Sequence, residues 1–137
     1  MKSILGILLL AIIINFSACK KADLIATTKK MPSVRNTALP GKWRVIGNMI
    51  SSGGPMYFVP ASGNDQVQFY TDGTMSGSAF PDFKRYTVKD TLTISMTSAD
   101  KTTYENYFYK INGDTLKLGL AGPILCVEGC AVVLLKE

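Results

Sequence analysis

Thr91-Leu92-Thr93-Ile94-Ser95-Met96-Thr97 alternates polar and apolar side chains without a break over seven residues. Successive side chains of a strand point to opposite faces, so this period-two pattern predicts a strand with Leu92, Ile94 and Met96 turned inward. Thr115-Leu116-Lys117-Leu118-Gly119-Leu120 repeats it, and Val67 and Phe69 share one face of 65–71. Extending the same reading from Lys42 to the C-terminus predicts eight strands, near 42–50, 65–71, 74–80, 83–89, 91–97, 102–111, 115–120 and 130–136. No stretch there keeps a 3.6-residue period for three turns, so the expected class is all-β.

The links between those strands carry a second pattern. Asp72-Gly73, Lys89-Asp90 and Asn112-Gly113-Asp114 are tight hairpin connections after strands two, four and six. Their Gly and Asn residues tolerate the positive φ that such turns require. The links after strands one and seven, 51–64 and 121–129, are long, and the other two are intermediate. In an up-and-down meander, odd and even links lie at opposite ends of the sheet. One end is therefore closed by short turns and the other carries the long loops. Closing such an antiparallel eight-stranded meander into a small barrel removes its exposed edges.

Upstream, Lys2, an apolar run from Ile4 to Ile14 and Phe16-Ser17-Ala18-Cys19 have the order of a secretory signal. The eleven-residue run is about 16 Å long as a helix, roughly half of what crosses a bilayer. The small-small-Cys ending resembles the lipobox of bacterial lipoproteins, which implies cleavage before Cys19 and lipidation of that cysteine. The expected organisation is a signal peptide over 1–18, a lipidated tether over 19–40 and a barrel domain over 41–137. The implied address is the outer membrane of the cell envelope, at its periplasmic face or on the cell surface.

The formal charge is +5. Residues 20–40 hold five cations against one anion, while from Gly41 onward nine cations balance nine anions. The basicity belongs to the tether, where it can lie against anionic headgroups or simply be solvated. The barrel segment has no electrostatic footprint for nucleic acid. With Cys19 assigned to lipid, Cys126 and Cys130 remain in an oxidising setting. In an extended strand their Cα atoms would be about 13 Å apart, too far for a disulfide, so a bond needs a turn at Glu128-Gly129. Free thiols and a metal site are the alternatives, although two thiols without a histidine are a poor ligand set.

Leu39-Pro40-Gly41-Lys42-Trp43 places a Gly-x-Trp at the start of the first strand, ahead of an eight-strand meander. This resembles the lipocalin and calycin superfamily, and more narrowly the small lipocalin-like lipoproteins of the Bacteroides group. The resemblance implies that Trp43 plugs the closed end, with Lys136 standing where lipocalins place a basic residue over the tryptophan. The domain lacks the long helix that lipocalins carry before the last strand, which implies a narrower or filled interior.

A chain with no histidine excludes a Ser/His or Cys/His engine. Its aspartates fall in or beside turns, and Glu105 is the only carboxylate placed mid-strand. No phosphate loop, metal box or cofactor motif is present, so no enzymatic role, metal or cofactor is expected. Binding is better supported. Met56, Tyr57, Phe58 and Val59 form an apolar tetrad between Ser-Ser-Gly-Gly-Pro and Pro-Ala-Ser-Gly-Asn, the composition of a mobile lid over an apolar mouth, or of a plain cap. Phe80, Ile124 and Leu125 fall at the same end, and Phe69 and Met96 on the inner face. These nine are the candidate ligand-binding residues. Trp43, Val45, Met49 and Leu92 are further inner-face candidates. Tyr104, Tyr107, Phe108 and Tyr109 make the sixth strand aromatic on both faces, for packing or for an exposed strip. The expected role is to bind a small apolar or amphipathic ligand at the mouth. The alternative is an envelope protein partner docking on the loops of a filled barrel. A continuous cavity of about 300 Å³ or more would favour the ligand.

Overall fold

The computed structural model describes residues 38–126 and 129–137. The signal segment, Cys19, the tether through residue 37 and Glu128 lie outside the described residues. Every regular element among the described residues is a strand: β1 (Gly41–Ile50), β2 (Tyr57–Pro60), β3 (Gln66–Phe69), β4 (Met75–Ser76), β5 (Phe83–Val88), β6 (Thr93–Ser98), β7 (Tyr104–Asn112), β8 (Thr115–Gly122) and β9 (Ala131–Lys136). All pairings are antiparallel, in the order β4-β3-β1-β9-β8-β7-β6-β5, with β2 also on β1. The ends of this path meet through the Thr74–Arg85 bridge and the Tyr86 N–H donating to the Gly73 carbonyl at 2.8 Å. The result is an eight-position meander curled into a nearly closed barrel.

The nine segments make eight positions because β2 and β3 share one. Both run antiparallel to β1, β2 against Gly47–Ile50 and β3 against Gly41–Arg44. The intervening 61–65 excursion is held by Ala61 N–H on the Ile46 carbonyl and Val45 N–H on the Asp65 carbonyl. The middle of the expected 51–64 loop, Tyr57–Pro60, is therefore strand. Its tetrad is largely strand, and the true connection is 51–56. The fourth strand of the meander, β5, begins at Phe83 as expected, but the third shrinks to Met75–Ser76. At Gly77 the chain approaches β3 so closely, with φ at 137°, that a Cβ would overlap the Gln66 carbonyl.

Links 70–74, 89–92 and 113–114 gather at one end and 51–56, 77–82, 99–103, 123–126 and 129–130 at the other. The tight turns are built by their own aspartates. Asp72 accepts from the Thr74 N–H at 2.9 Å, and Asp90 from the Leu92 and Thr93 N–H groups at 2.8 and 2.7 Å. These hydrogen bonds hold both carboxyls below the usual aspartate range, the Thr74 hydroxyl leading for Asp72 and the Leu92 amide for Asp90. Asp90 also corrects the opening strand: by capturing the Leu92 amide it puts Leu92 in the turn, 63% exposed rather than inward. Ile94 and Met96 are fully buried, as the alternation predicts.

The core is continuous from Leu39, Trp43, Val67 and Phe69 to Ile94, Met96, Leu116, Leu118 and Leu134. Each fully buried side chain of this size contributes about 1.5–3 kcal/mol of transfer free energy. Leu39 falls in the predicted tether, yet it is completely buried. A bulge between Val45 and Gly47 changes the face of β1 midway. Met49 therefore pairs with Ala131, whose partner in β8 is Gly119, on the face opposite Leu118. The expectation of an inward Met49 fails for that reason.

Candidate functional site

At the tight-turn end Trp43 is sealed in. Its indole N–H donates to the Leu39 carbonyl at 2.9 Å, and the Lys136 ammonium stands 5.2 Å from the ring centroid while donating to the Ala38 carbonyl at 3.1 Å. The cation faces the π-system, and its charge is satisfied by a carbonyl rather than a carboxylate. Glu137 lies nearby but binds Lys42 at 2.8 Å and Arg44 at 3.5 Å. Phe69 packs edge-to-face on Tyr86 at 5.0 Å in this same buried region. Phe69 and Met96 lie on the inner face as expected, both fully buried among core side chains.

At the long-loop end a cavity of about 220 Å³ opens above that core, lined by Ile50, Phe80, Tyr107, Leu118, Leu120 and Val132, with Asn48 as a polar member. Phe80 reaches it as predicted and meets Tyr107 edge-to-face at 5.6 Å. The volume falls short of the roughly 300–1,000 Å³ of pockets that enclose a small-molecule ligand. Below it lies the continuous core of the described residues.

The tetrad does not cover this cavity as a lid. Its register with β1 alternates, Tyr57 beside Ile50 and Val59 beside Asn48, while Phe58 lies opposite Met49. The Phe58 ring occupies the space that a Cβ on Gly47 would need. Phe58 thus closes over a glycine on the outer wall, and sheet pairing rather than loop mobility positions it. Met56 lies against Gly129, so loops 51–56 and 123–130 meet at the rim. The Cys126–Cys130 disulfide staples the second loop, with its Cα atoms 5.7 Å apart. Ile124 and Leu125 stand out from the rim, 64% and 69% exposed.

Glu105 enters the mouth from β7 and is only 4% exposed. One carboxylate oxygen accepts the Ile124 N–H at 3.4 Å, while Oε1 is buried without a hydrogen-bond partner among the described residues. Burial, and secondly the Glu105 charge, push the Tyr107 phenol up to about 12. Glu105 also lines a rim cavity of about 590 Å³ with Phe83, Asp100, Tyr104 and Ile124. Asp100 is tied into the β6–β7 turn by Ser98 Oγ–H at 2.5 Å, Thr102 N–H at 3.1 Å and Thr102 Oγ1–H at 2.8 Å, which draw it down to about 2. Among the described residues no group of three or more His, Cys, Asp or Glu side chains is placed to hold a metal. The sequence singles out Glu105 by its mid-strand position. Its burial depends on where the 123–126 segment crosses, which no local signal reports.

No family model, curated protein or solved structure matches the chain.

Proposed function

We propose that the protein is an exported, lipocalin-like lipoprotein, acylated at Cys19, whose barrel presents its long-loop rim to a protein partner in the cell envelope. One observation carries this reading: the described side chains from Trp43 to Leu134 form one continuous buried core, while Ile124, Leu125, Tyr57 and Val59 stand exposed around the rim. Apolar side chains gathered on a surface mark an interaction site more often than an accident of folding. Entry of the chain into β1 at the tight-turn end supports an orientation in which the tether leaves that rim facing away from the membrane. Trp43 beneath Lys136 supports the lipocalin-like kinship, and the complete lack of histidine supports binding over catalysis.

A second reading, a small amphipathic ligand at the mouth, is favoured by the partnerless Glu105 Oε1, which a donor on such a ligand would satisfy. Native mass spectrometry of the full protein purified from its own host separates the two. The expected spectrum shows an acyl mass at Cys19 and a retained protein partner lost on Leu125→Ser with Tyr57→Ser. A stoichiometric small molecule that survives those substitutions and is lost on Glu105→Gln would overturn the first reading in favour of the second.

A further inference from the structure

The register of five strands aligns one outer row: Phe108 opposite Gly119, Gly119 opposite Ala131, Ala131 opposite Met49, and Met49 opposite Phe58. The row crosses four strand spacings, about 19 Å of barrel wall. Its floor is low at Gly119 and Ala131, beside Phe108, and rises at Met49 toward Phe58; Phe108 is 58% exposed. Together with the out-turned Leu92, Phe108 walls an open apolar cavity of about 320 Å³ over Gly119 and Ala131, with Lys110 and Lys117 at one side.

The two lysines are directly opposite each other in the β7–β8 pair. Like charges so placed destabilise a sheet unless a counter-charge relieves them. Neither lysine has an ion pair among the described residues, where Glu137 serves Lys42 and Arg44 instead. They also line a second cavity, of about 330 Å³, whose other walls are Asn112 and Thr115. The two cavities adjoin through Lys110 and Lys117. One is apolar; the other offers two cations and two hydrogen-bonding side chains, with no carboxylate among the described residues that line it.

We infer that this outer wall binds a single-chain anionic amphiphile, its acidic head between Lys110 and Lys117 and its acyl chain on Gly119 and Ala131 between Phe108 and Leu92. Charge complementarity selects this occupant. A second copy of the chain would set one lysine pair facing another, and the tether, five cations against one anion over 20–40, is repelled. The site lies outside the barrel and does not depend on the rim reading.

The test titrates the full chain, in dilute buffer below the micellar limit, with dodecanoate and with uncharged dodecanol. Saturable one-to-one binding of dodecanoate is expected, at least tenfold tighter than dodecanol. Lys110→Gln with Lys117→Gln should remove that tenfold preference and, without ligand, raise the melting temperature by relieving the repulsion. Gly119→Val fills the floor; a Cβ there meets only the Cys130 carbonyl at 3.6 Å and Ala131 Cβ at 3.9 Å, so the fold is kept. It should weaken both probes together. Equal affinity for the two probes, lysine variants that bind dodecanoate undiminished, or a solution dimer that buries Phe108 would each overturn the proposal.

Discussion

The two ends of the barrel solve the same problem with opposite materials. The tight-turn end is closed by side chains that satisfy one another: Trp43 donates to Leu39, Lys136 covers the indole, and Asp72 and Asp90 bind the amides of their own turns. The long-loop end is held by a disulfide, by Met56 against Gly129, and by a glutamate with one oxygen unsatisfied. Ile124, Leu125 and Tyr57 project outward there, while Phe80 and Tyr107 turn inward. Stability is concentrated where the turns are short, and surface left without a partner is concentrated where the links are long.

That division makes graded predictions. Trp43→Ala should cost about 3–5 kcal/mol, read from urea unfolding, because a filled closed end cannot collapse around the void. A loss below about 1 kcal/mol would mean the plug is not the anchor. Gly47→Ala forces the Phe58 ring and the Val59 carbonyl off β1 and should cost about 1–3 kcal/mol. Its hydrogen exchange should rise in β2 while β3, on the other half of the same strand position, stays protected. Cys126→Ser with Cys130→Ser removes a very short loop closure, worth about 2 kcal/mol in the chain-entropy model. Exchange should then quicken at 123–130 and leave 89–92 and 113–114 unchanged.

Two titrations sharpen the contrast further. The Tyr107 phenol, raised to about 12, keeps its proton in the folded state beyond the ordinary value of 10.0. Its contribution to stability is whole below pH 10 and is lost as pH rises through 12. An ultraviolet titration should show one of the six tyrosines ionising late, and that step should vanish in Tyr107→Phe. Asp100, held near 2 by Ser98 and Thr102, acts in the other direction. Its contribution is present above its ordinary value of 3.8 and fades as pH falls toward 2, seen as loss of the shifted Thr102 amide resonance. Fully exposed, it should move the global unfolding midpoint little.

How far the sequence reads depends on whether the deciding contact is local. Ile94 and Met96 follow from alternation, and the aspartate turns follow from residues two or three positions away. Leu92 fails because Asp90 captures its amide and the strand starts only at Thr93. The bulge after Val45 leaves no trace, since Trp43, Val45, Gly47 and Met49 read as one unbroken alternation. β2 hides between glycine- and proline-rich arms because its pairing partner is β1, not its own sequence. Leu39 looks like tether until Trp43 is seen to need its carbonyl. The outer row from Phe108 to Phe58 exists only in register, spread over five strands, and no window of sequence contains it.

The most direct test of the contrast between the ends is position-specific photocrosslinking in the native host. A photoreactive residue would replace Leu125 or Tyr57 at the rim, and Tyr70, an equally exposed aromatic at the tight-turn end, as the control. One discrete protein adduct from both rim positions and none from Tyr70 is the predicted result. Adducts of equal yield from all three positions, or none from the rim, would contradict it.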